Sequence, residues 1–290
     1  METPEPMLRT MLALAAASFL GAAPALAAPS GADPAPVIAA ERAFAARAAE
    51  VGVAQSFLDN MSDDAIVFAP DPVKAKSVYG GRPPEKTPKK GGALLAWWPN
   101  FAGIARSGDL GFTTGPAEVN GKRTVHYFTV WQKQADGRWK WVYDGGADSD
   151  PSKAPGPDAP VQAMPPGDVA PLSASVAMGQ VRTAEAELAA RAATDAAGAY
   201  KPVLVADARI QGSSLAPATT PDAVAKELAI RARTIAFSPL GGGASKAGDL
   251  AWTYGDARWT GGRGHYVRIW QRRAGAWKIV FDQILPVPKS

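Results

Sequence analysis

His126 and His265 are the only histidines among the 290 residues of the chain, and they lie at equivalent positions of two similar stretches of sequence. A histidine side chain has a pKa near 6.5, so it can move a proton or bind a ligand close to neutral pH. The competing interpretation is a strand end whose imidazole bonds to water or to the backbone. With one histidine in each stretch, we expect no metal site and no cofactor.

A tyrosine follows each histidine, and an aspartate lies near the end of each stretch: Tyr127 with Asp144, and Tyr266 with Asp282. A hydrogen-bonded tyrosine and aspartate could carry acid–base chemistry inside a cavity. The register predicted below places both pairs on the face away from the core, where they would join neighbouring strands instead. We therefore favour a structural role for them.

The two stretches, residues 109–144 and 249–282, form an internal repeat. Each begins with Gly-Asp-Leu, where Asp109 and Asp249 are predicted to cap a turn. Three runs with strand character follow, separated by glycine-containing turns. Such turns join antiparallel strands, because Asn and Gly adopt positive φ at little cost. Each copy is therefore predicted to end in a three-stranded antiparallel sheet.

The alternation of side chains along these strands predicts which face is buried. If Lys133 pairs with Arg138 across the last turn, Tyr127 lies opposite Asp144, and Trp131 shares their face. The predicted core face, which ends at His126, then contains Phe128, Val130, Trp141 and Tyr143.

Helical patterns precede both sheets. From Val37, apolar residues recur at a spacing of about four up to Gly52, which predicts a helix that ends there. The second copy has a matching predicted helix over 181–194, in which Glu185 is in register with Glu41. The repeat therefore extends back through the helices.

Composition divides the chain into five segments. Residues 1–27 have the apolar run and small-residue cleavage site of a signal peptide, the alternative being a retained anchor. A spacer over 28–37 leads to a domain over 38–148. A proline-rich linker over 149–177, predicted to be an extended and flexible connector, joins it to a domain over 178–287. We expect a periplasmic or secreted protein with no membrane contact after cleavage.

Several function classes are excluded by composition. The chain has no cysteine, so it has neither disulfides nor a thiolate nucleophile. The formal net charge of +4 is spread along the chain, and the only local basic cluster is Lys86, Lys89 and Lys90. We expect no nucleic-acid partner. The loop predicted at Gly241-Gly242-Gly243 lacks the lysine of a phosphate-binding loop.

Taken together, these features resemble the nuclear transport factor 2-like superfamily and its SnoaL-like branch. The resemblance is carried by the helices, the Asp-Ala-Ile-Val-Phe strand from Asp64, the Trp-Pro pair at Trp98, and the strands of the repeat. It covers residues 38–146 and, more weakly, 178–285. It implies an α+β fold of two tandem cone-shaped domains, each a curved antiparallel sheet wrapped around N-terminal helices. Relatives often dimerise through the sheet, so the two halves could pair as an internal pseudo-dimer.

Two hypotheses about function follow from the resemblance. We favour non-catalytic binding of a small apolar ligand or a partner protein. The alternative is an isomerase, dehydratase or hydrolase in which His126 is the base and Tyr143 or Asp144 assists it. The predicted ligand-binding residues are Trp98, His126, Trp141, Tyr143 and His265.

Overall fold

The computed structural model describes Met1 and residues 32–81, 95–168 and 170–288. The predicted signal peptide, most of the spacer and the cluster of Lys86, Lys89 and Lys90 lie outside the described residues. No helix in the described ranges has both the length and the apolar character that a membrane crossing requires. We use half 1 for residues 32–148, the linker for 149–173 and half 2 for 174–288.

Half 1 has two N-terminal helices followed by a mixed sheet. Its elements are α1 (Ala35–Val51), α2 (Val53–Asn60), β1 (Met61–Phe68), β2 (Pro72–Lys74), α3 (Ala75–Tyr79), β3 (Leu95–Trp97), β4 (Phe101–Ile104), β5 (Leu110–Val119), β6 (Lys122–Lys133) and β7 (Trp139–Asp148). The linker contributes a short 3₁₀ turn (Pro151–Lys153) and β8 (Gln162–Ala163). The strand order is β2-β1-β7-β6-β5-β4-β8, and β3 also pairs with β5.

Half 2 repeats this arrangement with fewer strands. Its elements are α4 (Ala174–Ala192), α5 (Ala196–Tyr200), β9 (Leu204–Gln211), α6 (Pro221–Ile230), β10 (Ala236–Ala244), β11 (Leu250–Trp259), β12 (Gly262–Arg273) and β13 (Ala276–Pro286). The strand order is β10-β11-β12-β13-β9. In both halves the first long strand runs parallel to the last one, β1 beside β7 and β9 beside β13. The fold is α+β, with two sheets and two sets of helices.

The first helix of half 1 buries one stripe against its sheet, and that stripe contains a carboxylate. Val37, Phe44 and Ala48 are buried, and so is Glu41 between them. Gly52 ends the helix with φ 88°, a conformation that favours glycine. The spacing of three and four residues that forms the apolar face therefore also directs Glu41 into the core.

The predicted register of the last two strands is wrong. Lys133 pairs with Trp139 rather than Arg138, and Asp144 lies opposite Thr129 rather than Tyr127. A β-bulge shifts the pairing between Val130 and the next residue. In half 2 Asp282 correspondingly lies opposite Arg268, and Tyr266 lies opposite Ile284. The extra residue of a bulge reverses the alternation beyond it.

Consequently, the predicted core face is divided between two cores. Phe128, Val130 and Tyr143 belong to a cluster between the two sheets, whereas Trp141 packs with Phe44 beneath the helices. Tyr127 and Trp131, predicted to lie away from the core, are in that helix-side cluster. Both faces of the sheet are buried, because one covers the helices and the other covers the second sheet.

The two sheets meet through reciprocal contacts. The rings of Phe128 and Phe281 stack at 3.8 Å between centroids. Asp109 accepts hydrogen bonds from the amide of Lys246 at 3.2 and 3.3 Å, and Asp249 accepts one from the amide of Arg106 at 3.0 Å. The predicted turn-capping aspartates of each half thus also bind a turn of the other half, as in a two-fold interface.

The linker is ordered against both halves, which corrects the prediction of a flexible connector. β8 adds to the edge of the first sheet by pairing in parallel with β4. Met164 is buried between the sheets, and the backbone of Asp168 bonds to Arg272 in half 2. An exposed strand edge offers unpaired backbone groups that such a segment can satisfy, whatever its proline content. The predicted glycine loop at 241–243 is likewise part of β10.

Candidate functional site

The buried polar groups of half 1 are centred on Glu41. Its carboxylate, which is fully buried, accepts hydrogen bonds from the indole nitrogen of Trp97 at 2.6 Å and from that of Trp131 at 2.9 Å. The hydroxyl of Thr113 donates a further bond to Oε2. Burial raises the pKa of Glu41, although these hydrogen bonds act in the opposite direction.

Asp144 is the second carboxyl of this site. The hydroxyl of Thr129 donates a hydrogen bond of 2.7 Å to its Oδ2 atom. Burial first, and then the negative charge of Glu41, raise the pKa of Asp144 well above its ordinary value. The residue as a whole stays partly exposed, whereas Glu41 beneath it is enclosed. Asp144 is therefore the carboxyl of the pair that is nearer to solvent.

Two further polar atoms at this site have no hydrogen-bond partner among the described residues. They are the hydroxyl oxygen of Tyr127 and the indole nitrogen of Trp141. Tyr127 is only 6% exposed, and burial raises its pKa well above the usual value. An unsatisfied buried donor costs about 1–3 kcal/mol, so each of these atoms would gain from a hydrogen-bonding ligand or a water. We call Glu41, Asp144, Thr113, Thr129 and Tyr127 the carboxyl site.

In half 2 the corresponding carboxyls are neutralised by arginine. Arg268 occupies the position of Thr129, donating to Glu185 at 2.6 Å and to Asp282 at 2.6 Å. Arg231 forms a second ion pair with Asp282, also at 2.6 Å. Burial alone would raise the pKa of Asp282, but the two arginines outweigh it and the pKa is lowered. This buried network is satisfied without any ligand.

His126 does not lie in the carboxyl site. It lies two residues before Phe128 on β6, so the two side chains share a face. Thr129 and Asp144 lie on the opposite face of the sheet. The ring of His126 lines a cavity of about 490 Å³ formed by both halves and the linker. Burial, and then the charge of Arg209, lower the pKa of His126 to about 3, so its imidazole is neutral at neutral pH. The predicted combination of His126 with Asp144 is therefore wrong, because the two side chains lie on opposite faces of the sheet. The combination with Tyr143, which faces the second sheet as Phe128 does, stays a prediction.

The remaining predicted site residues are dispersed. Tyr143 is fully buried between the sheets, away from the carboxyl site, while Trp141 lies under the helices beside it. Trp98, predicted beside the open end of the cone, packs against the linker, where its indole donates to the carbonyl of Pro155 at 3.1 Å and Arg123 lies 4.8 Å from the ring centroid.

His265 lies between two carboxylates and not in a pocket of the half 2 cone. Its Nε2 atom is 2.9 Å from Asp71 of half 1, and its Nδ1 atom is 3.0 Å from Asp256. Asp71 also pairs with Arg263. His126 and His265 occupy equivalent positions in the sequence but have different neighbours. His265 contacts two carboxylates, whereas His126 lies near the positive charge of Arg209. Among the described residues, no group of three potential ligands is arranged to hold a metal ion.

Sequence reasoning missed most of the carboxyl site. The sequence predicts a pair of Asp144 with Tyr127, which does belong to this site, although it favours a structural role for that pair. Glu41, Thr113 and Thr129 are not among the predicted site residues. Two signals could have found them: a glutamate within the apolar stripe of a helix, and the replacement of Thr129 by Arg268 between otherwise similar copies. Both signals concern buried carboxyls that have an arginine partner in half 2 and none at the equivalent position of half 1.

The solved structures that resemble this protein each cover about two fifths of the chain. No family model matches the sequence, and no curated protein matches it. A protein of unknown function with a cystatin-like fold from Nostoc punctiforme is 11% identical, with a TM-score of 0.34 over 40% of this chain and 96% of its own. A ketosteroid isomerase-like protein from Erwinia carotovora atroseptica is 13% identical, with a TM-score of 0.34 over 38% and 96%. A nuclear transport factor 2-like protein of unknown function from Pseudomonas putida is 13% identical, with a TM-score of 0.35 over 41% and 92%.

Proposed function

We propose that half 1 is the ligand-binding half of an exported protein, and that it binds a small, mostly apolar molecule carrying a hydrogen-bond acceptor such as a carbonyl oxygen. The observation that carries the proposal is the pair of Glu41 and Asp144, which share the carboxyl site without the arginine that their counterparts have. Half 2, whose network is complete, acts as the structural partner of an internal pair.

The chemistry of the ligand follows from the protonation of the pair. Burial raises the pKa of both Glu41 and Asp144, and two carboxyls in a low-dielectric site do not both ionise easily, so we infer that the pair holds a proton. The carboxyl of Asp144 and the hydroxyl of Tyr127 are then donors, and both suit an acceptor oxygen. The surrounding rings of Trp97, Trp131 and Trp141 suit an apolar body.

A matched pair of probes tests this proposal. Calorimetric titration with 1-indanone, an apolar ketone, should show binding, whereas indane, which lacks only the oxygen, should bind at least about tenfold more weakly. Tyr127→Phe removes one donor and should weaken indanone binding by about tenfold as well. Tyr266→Phe in half 2 is the control and should change nothing. Equal affinity for the two probes, or insensitivity to Tyr127→Phe, would refute the proposal.

Acid–base catalysis is a second candidate, favoured by the raised pKa of Asp144. With the proton of the pair on Glu41, the Asp144 carboxylate would take a proton from the carbon next to the carbonyl while Tyr127 donates a hydrogen bond to the oxygen. The Asp144 carboxyl would then return a solvent-exchanged proton to the same carbon, which regenerates the ketone. Nuclear magnetic resonance should then detect faster deuterium exchange at that carbon of 1-indanone with the wild type than with Asp144→Asn. Equal rates would leave binding as the function.

Export rests on the leader predicted over residues 1–27. N-terminal sequencing of protein recovered from the culture medium or periplasm should begin at residue 28. A mature chain that retains residues 1–27 would contradict this part of the proposal.

A further inference from the structure

The cavity between the two halves contains a buried arginine that forms no ion pair with any described residue. Arg209 of β9 is only 8% exposed and lines the cavity of about 490 Å³. Its Nη2 atom donates to the side-chain oxygen of Gln162 at 2.5 Å, and its guanidinium lies 3.9 Å from the ring centroid of Phe101. Among the described residues it forms no ion pair.

The nearest carboxylate in sequence, Asp207, raises the pKa of Arg209 through its charge but forms no ion pair with it. Asp207 is bound by Arg273, whose Nη1 atom lies 2.6 Å from it. Burying an arginine without a partner carries a large desolvation cost. Burial lowers the pKa of Arg209 to about 10, so the side chain still carries its charge at neutral pH. The folded chain therefore keeps a buried positive charge beside a cavity, with no ion pair to it among the described residues.

Two unpartnered polar atoms belong to the same cavity. The Nε2 atom of His126, in a residue only 3% exposed, has no hydrogen-bond partner among the described residues. The side-chain oxygen of Asn100 is also buried and unpartnered, and both residues line the cavity. A neutral imidazole can present an N–H at Nε2, and an amide can present either its oxygen or its NH₂ group after rotation. The site thus offers further donors beside the guanidinium.

We propose that this cavity is a binding site for a small organic carboxylate, held by Arg209 and by His126. The planar guanidinium presents paired N–H groups that match the two oxygens of a carboxylate. The rest of the wall suits an organic body, since it includes Ala154, Pro155 and Pro217. Asp150, which has an interaction of its own, also lines the cavity, and its negative charge disfavours a doubly charged phosphate more than a singly charged carboxylate.

The proposed site is made by three segments that are distant in sequence. His126 comes from half 1, Gln162 from the linker strand β8, and Arg209 from half 2. Gln211, two residues after Arg209, donates to the backbone carbonyl of His126 at 3.3 Å and so fixes β9 against β6. A carboxylate bound here would contact all three segments. The site is independent of the carboxyl site, which faces the opposite side of the half 1 sheet.

Titration of the full mature chain with sodium acetate and sodium benzoate tests the proposal, with benzamide and inorganic phosphate as comparisons. At least one of the two carboxylates should bind, shifting the His126 ring signals in nuclear magnetic resonance, and benzamide should bind at least about tenfold more weakly. Arg209→Gln should weaken carboxylate binding by at least about tenfold. Arg258→Gln, at a surface arginine that is 65% exposed in the same half, is the matched control and should leave binding unchanged.

A second measurement separates a binding role from a structural one. Removing an unpaired buried charge relieves its desolvation cost, so Arg209→Gln should keep or raise the melting temperature of the ligand-free protein. Acetate or benzoate should raise the melting temperature of the wild type and not that of the variant. Absence of binding by both carboxylates, preference for phosphate, or binding that survives Arg209→Gln would each overturn the proposal. So would a clear loss of stability in ligand-free Arg209→Gln, which would show that the arginine serves the fold.

Discussion

The two halves place the same buried carboxyls on the same elements but treat their charge differently. In each half a glutamate on the first helix lies near an aspartate on the last long strand, Glu41 with Asp144 and Glu185 with Asp282. Half 2 supplies Arg268 between its pair, whereas half 1 has Thr129 at that position. One position on the central strand therefore decides whether the two carboxyls join an ion network, as in half 2, or lie together without an arginine, as in half 1.

The largest expected difference concerns stability. Asp282→Asn leaves Arg268 and Arg231 buried without their carboxylate and should lower the free energy of unfolding by about 3–5 kcal/mol. Asp144→Asn removes a carboxyl whose pKa no nearby cation lowers, so it leaves no buried charge unpaired and should cost less than about 1 kcal/mol at neutral pH. Urea denaturation of both variants measures the difference. Similar losses for the two would show that the carboxyls of half 1 are charged and paired like those of half 2.

The pH dependence of stability should have opposite signs in the two halves. The raised pKa of Asp144 means that the folded chain holds a proton which the unfolded chain releases above its ordinary pKa near 3.8. The contribution of Asp144 to the free energy of unfolding is therefore largest below pH 3.8. It falls as the pH rises from there to the pKa of the folded state, by at most about 1.4 kcal/mol per pH unit. The lowered pKa of Asp282 gives the reverse, with stability lost only as the pH falls below 3.8.

Urea denaturation between pH 4 and pH 8 measures these slopes. In Asp144→Asn the decline of stability with rising pH should be reduced relative to the wild type. Asp282→Asn, although less stable throughout, should keep that decline. A wild-type slope that Asp144→Asn leaves unchanged would assign the titration to another group.

The sequence predicts the fold of the two halves but not which residues of β6 face which core. Glycine turns and the repeated strands indicate the α+β fold, because they are local signals. The faces of β6 could not be assigned from alternation, since Tyr127 and Trp131 on one side and Phe128 and Val130 on the other are all buried. A bulge in the partner strand has no signature in the alternation.

The sites are less predictable than the fold for a related reason. Glu41 and Thr129 acquire their roles from residues far away in the chain, and Arg209 meets His126 only once the halves and the linker are assembled. The ordered linker shows the same dependence, because β8 is stabilised by the edge of β4 rather than by its own sequence. Local propensity describes each segment alone, whereas these features depend on which segments meet.

A smaller effect is expected when the hydrogen bond from Thr129 to Asp144 is removed, at the position that Arg268 occupies in half 2. Thr129→Val keeps the shape of the side chain but removes the donor to Asp144, which should cost about 1 kcal/mol of stability. It should also raise the pKa of Asp144 further, because that bond favours the charged form. Urea denaturation gives the stability, and the carboxyl carbon signal of Asp144 gives the pKa. Thr253→Val, at a hydroxyl that bonds to Glu185 in half 2, is the control and should leave the Asp144 signal unaffected. A lowered pKa in Thr129→Val would contradict the assigned hydrogen bond.

The smallest effect concerns Asp71, the carboxylate beside His265. The equivalent histidine of half 1, His126, has the positive charge of Arg209 nearby instead. Asp71 is hydrogen-bonded by Arg263 and then by His265, and these bonds lower its pKa to about 2. Because the folded pKa is below the ordinary value of 3.8, this contact contributes to stability above pH 3.8 and its contribution is lost as the pH falls through about 2. The side chains of Asp71 and Arg263 are exposed, so we expect a shifted titration of Asp71 with little change in overall stability.

The carboxyl carbon signal of Asp71 should titrate near pH 2 in the wild type and closer to 3.8 in Arg263→Gln. Arg258→Gln, at a neighbouring surface arginine, should leave it unchanged, and an ordinary wild-type midpoint would remove this contact from the differences between the halves.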